Sequence, residues 1–241
     1  MRYVLLLIML FVSNIPARTI YVVRHGQVGY KLCYDADTQE EKLTELGKEQ
    51  ARLLAKHLVE KCNFRGEIYS SPLYRAIQTA SFTAKLLGKK IKLEPGFQEE
   101  NKGEKSYPRG MSNAEVEERF PGLTCGVLPP AWRVSSEDEQ ALRLRVEDAL
   151  LRLLESTSSD LLLVGHGATV KALVEMLNRI YGTQVEGYLW NCCLFVFEIV
   201  DGKMKMASYT TEYMPDNIVT SNFHCPKIPR PNDTKYAPPG K

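Results

Sequence analysis

Most features that announce a functional class are scarce or missing in these 241 residues. Charge of one sign is not in excess: 31 lysines and arginines stand against 29 aspartates and glutamates, a formal net charge of +2. Such a balance leaves no electrostatic footprint for nucleic acid or an anionic membrane, so any positive site has to be local. A membrane-spanning helix needs roughly 20 apolar residues. The longest apolar run, Tyr3 to Val12, is about half of that, which argues against stable membrane association. The six cysteines include no C-x-x-C pair and no zinc-like spacing. Asp35-Ala36-Asp37 has no histidine or third carboxylate placed near it, so it reads as a solvated loop and no metal site is expected. No segment repeats, and nothing in the chain carries a signature of oligomeric state. What remains is the composition of a globular α/β domain, 44% hydrophobic and 25% charged, long enough to bury one large core.

The two ends of the chain differ from its middle. Met1 and Arg2 precede the apolar run, and Ser13 to Ala17 close it with polar and helix-breaking residues and a small residue last. That is the layout of a secretory signal peptide over residues 1–17, and it predicts a secreted or secretory-lumen protein. A buried extra element in a cytoplasmic protein is the competing reading. Cys33, Cys62, Cys125, Cys192, Cys193 and Cys225 are an even number and would permit disulfides in an oxidising compartment. Cys192 and Cys193 lie in an apolar run, so at least one is expected in the core. Residues 211–241 hold six of the thirteen prolines and the glycosylation acceptor Asn232-Asp233-Thr234, and read as an irregular tail.

Between these ends, residues 18–210 alternate strand and helix patterns. Thr19 to Arg24 is a β-branched apolar run that stops at His25-Gly26. Thr44 caps a helix whose stripe Ala51, Leu54, Ala55 and Leu58 runs to about Lys61. Glu67 to Ser70 is a short strand, and Ser71-Pro72 opens a helix that Gly88 ends. Ile91 to Leu93 is a third strand. Residues 94–134 are irregular apart from a helical patch at Ala114 to Phe120, and a connection of that length reads as a lid or binding insert. Ser135 or Ser136 is expected to cap the next helix, which carries Leu142, Val146, Leu150 and Leu153. Leu161 to Val164 is an apolar strand before Gly165-His166-Gly167, followed by a helix over Val170 to Ile180. Cys193 to Val200 and Lys203 to Tyr209 form a hairpin across Asp201-Gly202. The pattern predicts an α/β fold, a three-layer αβα sandwich with a mostly parallel central sheet and an antiparallel edge hairpin.

In such sheets ligands bind beyond the carboxyl ends of strands. Two strand ends carry a histidine beside glycine, His25 and His166, and a third runs into a helix start bearing Arg75. Together with Arg24 these side chains could converge on a tetrahedral dianion, a guanidinium fork being well suited to phosphate. His57, in mid-helix, and His224, in the tail, are assigned no role. No cysteine stands six residues before an arginine, which excludes the cysteine-phosphatase class.

Four ordered blocks resemble the histidine phosphatase superfamily in its phosphoglycerate-mutase-like branch: R-H-G at Arg24, L-T-E-L-G-K-E-Q-A at Leu43, Y-S-S-P-L-Y-R-A-I-Q-T-A at Tyr69 and V-G-H-G at Val164. The E-P-G-x-x-E pattern at Glu94 to Glu99 resembles most the phosphatase domains of the Sts proteins and of ecdysteroid-phosphate phosphatase. The resemblance implies hydrolysis of a phosphomonoester without cofactor or metal. His25 would be the nucleophile and form a phosphohistidine. Arg24 and Arg75 would clamp the phosphate, a cationic His166 would add a donor, and Glu99, in preference to Glu100, would be the general acid. A phosphorylated small molecule or a phosphotyrosine is the implied substrate. The chain departs from the family pattern at Gln27, Val28 and Lys31, where Lys31 could serve as a substitute phosphate contact. The mutase signatures S-x-W-N and E-R-H-Y-G are missing. A phosphotransferase or mutase, and a phosphate-binding pseudoenzyme, are the rival readings.

Overall fold

Strand β1 (Arg18–Arg24) is the hub of the sheet: it pairs in parallel with one neighbour and antiparallel with the other. Ile20, Val22 and Val23 are fully buried, as a strand covered on both faces requires. The computed structural model describes residues 17–29, 34–35, 40–103 and 109–220. The leader-like residues 1–16, Lys31, Cys33, His224, Cys225, Asn232 and the rest of the chain from 221 lie outside the described residues.

Around β1 the sheet runs in the order β6-β5-β4-β7-β1-β8-β9, with β4 at Glu67–Ser70, β5 at Ile91–Leu93, β6 at Thr124–Cys125, β7 at Leu161–Gly165, β8 at Leu194–Val200 and β9 at Lys203–Thr210. The pairings from β6 to β1 are parallel, and β8 and β9 form the expected antiparallel edge. A separate two-stranded piece joins β2 (Tyr34–Asp35) to β3 (Glu40–Glu41). Helices α1 (Glu45–Glu60) and α2 (Tyr74–Leu87) follow strands that step one way across the sheet, and α4 (Glu139–Ser156) and α5 (Gly167–Tyr181) accompany the return. Right-handed crossovers put the two pairs on opposite faces, and each pair packs together. This is the three-layer αβα arrangement that the alternation predicts.

Local chemistry explains most boundaries. Thr44 Oγ1 accepts from Gly47 N–H at 2.9 Å and caps α1. Gly88 ends α2 in the left-handed conformation at φ 61°. The small helix α3 (Asn113–Arg119) has a complete capping box between Ser112 and Glu115.

Four boundaries differ from the sequence reading. The second helix starts at Tyr74 rather than Ser71-Pro72, because Ser71 N–H is still bonded to the Val164 carbonyl across the sheet at 2.9 Å. Asp138, not Ser135 or Ser136, caps α4, its carboxylate accepting from Ala141 N–H at 2.8 Å. Inside the 94–134 stretch, β6 extends the sheet; two residues are too short for any periodicity to reveal. Beyond β9, residues 211–220 have no strand or α-helix and are docked on the domain, with Met214, Val219 and Thr220 buried and a 3-10 turn at Asp216–Ile218. The described cysteines Cys62, Cys125, Cys192 and Cys193 are free thiols, the last two in the core.

Candidate active site

The parallel register aligns the ends of three strands. Arg24 is level with Gly165 and Ser70 with Val164, so β1, β7 and β4 deliver Arg24-His25, Gly165-His166 and Ser70-Ser71 to one rim. The first turn of α2 adds Arg75. Arg24, His25, Arg75 and His166 are all buried, and the two imidazole rings lie 5.1 Å apart between centroids.

The turn that carries His25 is made possible by two glycines. A Cβ on Gly26 would lie 2.6 Å from the Gly47 carbonyl oxygen, and one on Gly47 would lie 2.1 Å from the Gln27 oxygen. The first turn of α1 therefore packs directly on the His25 turn, backbone against backbone, which joins the L-T-E-L-G and R-H-G blocks in space.

His25 is held in one tautomer. Its Nδ1 donates to the Gly26 carbonyl at 2.7 Å, so the proton sits there and Nε2 carries the lone pair. That lone pair accepts from Arg75 Nε–H at 3.3 Å. Burial, then the Arg75 and Arg24 guanidinia, hold the ring well below its usual pKa, so it is a neutral, electron-rich imidazole at pH 7.

His166 is likewise buried and held well below its usual pKa by burial and by Arg75, His25, Arg133 and Arg24. Burial first, and then the neighbouring guanidinia, disfavour a further positive charge on this ring, whereas the resemblance implies a cationic donor. It caps α5, and its Nε2 lies 2.8 Å from Ser71 Oγ. Ser71 Oγ accepts from Leu73 N–H at 3.3 Å, so we assign its own proton to His166 Nε2 and the ring proton to Nδ1. His166 Nδ1 and Arg24 Nε are buried nitrogens without a hydrogen-bond partner among the described residues, and Arg75 Nη1 makes no hydrogen bond either, its nearest anion being the Glu41 carboxylate at 3.5 Å. Buried donors are rarely left unsatisfied, and three in one pocket mark the place of an anion.

Glu99 and Glu100 diverge. Glu99 accepts from the first N–H groups of α5, Gly167 at 3.1 Å and Ala168 at 3.3 Å. A Cβ on Gly167 would sit 3.8 Å from Glu99 Oε2 and 3.9 Å from Arg24 Nε, so this carboxylate and the clamp share a corner. Glu100 faces the other way and pairs with Lys102 at 3.5 Å. Gln27, one of the departures from the family pattern, is turned into the framework, where its Oε1 accepts from Thr44 Oγ1 at 2.9 Å.

Two pocket residues were missed by the sequence reading. Arg133 donates to the Gln98 side chain and to the Glu99 carbonyl and adds positive potential at His166. Glu41, on β3, ion-pairs with Arg75 Nη1 at 3.5 Å. Neither stands in a motif; their only signal was location in the long polar stretches flanking the quoted blocks. Among the described residues no group of three His, Cys, Asp or Glu forms a metal-ligand cluster.

A neutral histidine at a strand end, beside a guanidinium clamp with unspent donors, defines an α/β enzyme site for phosphoryl groups. The particular family follows from comparison: the model of the histidine phosphatase superfamily (branch 1) matches residues 20–212, and the chain belongs to that family. The ecdysteroid-phosphate phosphatase of Drosophila melanogaster is 32% identical over 185 residues, covering 68% of this chain but 24% of that protein. The chain thus spans about a quarter of the length of that relative. A probable phosphoglycerate mutase of Photorhabdus laumondii is 33% identical over 161 residues, covering 64% of this chain and 72% of that one. Among solved structures, the ecdysone phosphate phosphatase of Bombix mori in complex with tungstate has a TM-score of 0.63 at 20% identity, over 82% of this chain and 93% of its own. That likeness carries the fold.

Proposed function

We propose that this chain is a phosphomonoester hydrolase that works without metal through a phosphohistidine on His25. One observation carries the reading: the His25 Nε2 lone pair, fixed by the Nδ1–H bond to Gly26, faces Arg75 beside the buried Arg24 Nε and His166 Nδ1, which make no hydrogen bond among the described residues. A phosphate seated on Arg24, Arg75 and His166 would satisfy those donors and bring phosphorus in line with Nε2. His25 attacks phosphorus, the P–O bond to the alcohol breaks, and Glu99 gives its proton to the leaving oxygen. Water then attacks the phosphohistidine while Glu99 takes its proton back, which releases inorganic phosphate and restores the imidazole. The approach of the dianion also favours proton uptake by His166, which would then act as the cationic donor to the bound phosphate.

The substrate class we favour is a phosphorylated small molecule, in keeping with the ecdysteroid-phosphate relative; phosphotyrosine is the rival. A mutase-like phosphotransfer is the second mechanistic reading, favoured by the probable phosphoglycerate mutase among the relatives. The test is phosphate release from p-nitrophenyl phosphate in excess EDTA by the wild type and its His25→Ala variant. Activity that survives EDTA and vanishes in the variant is the expected result. Undiminished hydrolysis by His25→Ala would refute the mechanism, and transfer to an added alcohol in place of water would favour the mutase-like reading.

A further inference from the structure

The quoted motif blocks contain residues that touch no phosphate and have no part in the chemistry above: Gln50 at the end of L-T-E-L-G-K-E-Q-A, and Thr79 in R-A-I-Q-T-A. Both tether the His25 turn. Gly26 N–H donates to Thr79 Oγ1 at 2.9 Å, and Gln27 N–H donates to Gln50 Oε1 at 2.9 Å. A third tether is Asn191, whose Nδ2 donates to the His25 carbonyl at 3.1 Å. Gln50 and Asn191 in turn meet at the segment after β9. Gln50 Nε2 donates to Thr220 Oγ1 at 2.8 Å and to the Ile218 carbonyl at 2.6 Å. Asn191 N–H donates to the Thr220 carbonyl at 2.8 Å, and Thr220 Oγ1 donates to Asn191 Oδ1 at 3.4 Å. Gln50, Asn191 and Thr220 are all buried, so these bonds are shielded from competition by water.

We infer that Thr220, acting through Gln50 and Asn191, is a positioning residue for His25, and that the 214–220 segment is a working part of the catalytic apparatus. The inference rests on His25 being the nucleophile. Its physical basis is that the direction of the Nε2 lone pair follows the backbone at His25, which is fixed by the two peptide planes after it, His25–Gly26 and Gly26–Gln27. The carbonyl of the first and the N–H of the second are held by Asn191 and Gln50, side chains that share the Thr220 hydroxyl. Loosening that hydroxyl leaves the clamp nitrogens of Arg24 and Arg75 in place but lets the imidazole drift from in-line geometry. Misplacement of about 1 Å lowers rate by up to about 10²-fold.

Thr220→Val removes the hydroxyl at constant shape, and Thr220→Ser keeps it. In the full chain, Thr220→Val is expected to lower kcat and the rate of phosphohistidine formation by about 10-fold, since the Thr79 tether and the Cys192 N–H bond to the His25 carbonyl keep full strength. KM and the inhibition constant of inorganic phosphate should change less than about two-fold, and Thr220→Ser should restore the rate. Asn191→Leu, which cuts the tether itself, should show the larger kcat loss with the same split. Unchanged kcat in both Thr220→Val and Asn191→Leu would overturn the inference. So would parallel loss of kcat, phosphate binding and melting temperature without rescue by Thr220→Ser, which is the signature of a merely structural role. A wild type that forms no phosphohistidine would instead refute the mechanism on which the inference rests, and is distinguished from the other outcomes by needing no variant.

Discussion

At the scale of single residues, the pocket is built on two neutral histidines in a positive environment. Both rings have folded-state pKa values well below the usual 6.5, so between 6.5 and those lower values the unfolded chain binds protons that the folded chain refuses. Stability therefore rises with pH across that window, and falls as pH drops below 6.5, by up to about 1.4 kcal/mol per pH unit for each ring. Denaturant melts from pH 7 to pH 5 should have this slope, and saturating phosphate should flatten it by favouring the protonated form of His166. Glu41 supplies a second prediction. Its carboxylate lies 3.5 Å from Arg75 Nη1, where it would compete with a phosphate seated on that guanidinium as proposed. Glu41→Gln should therefore tighten competitive inhibition by inorganic phosphate by about 3- to 10-fold, in line with a partly exposed ion pair of roughly 1 kcal/mol. Weaker inhibition would mean that Glu41 orients the arginine instead of opposing its ligand.

At the scale of elements, the contact that matters most is between the His25 turn and the first turn of α1. Thr44 caps the helix and reaches Gln27 with the same hydroxyl. Gly47 lets the two backbones touch. Gly47→Ala would drive a methyl to 2.1 Å from the Gln27 oxygen. Backbone cannot yield as a flexible side chain does, so a loss of about 2 kcal/mol or more is expected. In a domain of this size that is roughly 4–8 °C in melting temperature. The activity loss should exceed what the stability loss explains, because the displaced atoms adjoin His25, the proposed nucleophile.

At the scale of the whole molecule, the pocket joins β1, β4, β7, α2 and α5, so its ligand should hold the sheet and both helix layers together. Phosphate or tungstate at about 100 times its dissociation constant should add about 2.7 kcal/mol, raising the melting temperature by several degrees in wild type. The effect should largely disappear in an Arg75→Ala variant. Residues 1–17 are proposed to direct secretion, and the protein recovered from culture medium should then begin at Arg18. Recovery of the full-length chain from the cytosol would refute that reading.

What the amino-acid sequence determined by itself was whatever is local in origin. β-Branched runs such as Ile20 to Val23 want enclosure, Thr44 and Gly88 mark helix ends, and Asp201-Gly202 turns the hairpin. The family blocks named His25, Arg24, Arg75, His166 and Glu99, and the structure brings all five into one pocket. Several features were decided by tertiary structure alone. The E-P-G-x-x-E pattern preferred Glu99 to Glu100, but what that carboxylate is bonded to, the first N–H groups of α5, only the packing of α5 shows. Arg133 and Glu41 reach the pocket from polar stretches without periodicity. The neutral state of His166 depends on burial and on guanidinia from distant segments, so no window around residue 166 contains it. Thr220 meets Gln50 across 170 positions of chain, a pairing that no propensity or spacing encodes because only the closed sheet brings the two together.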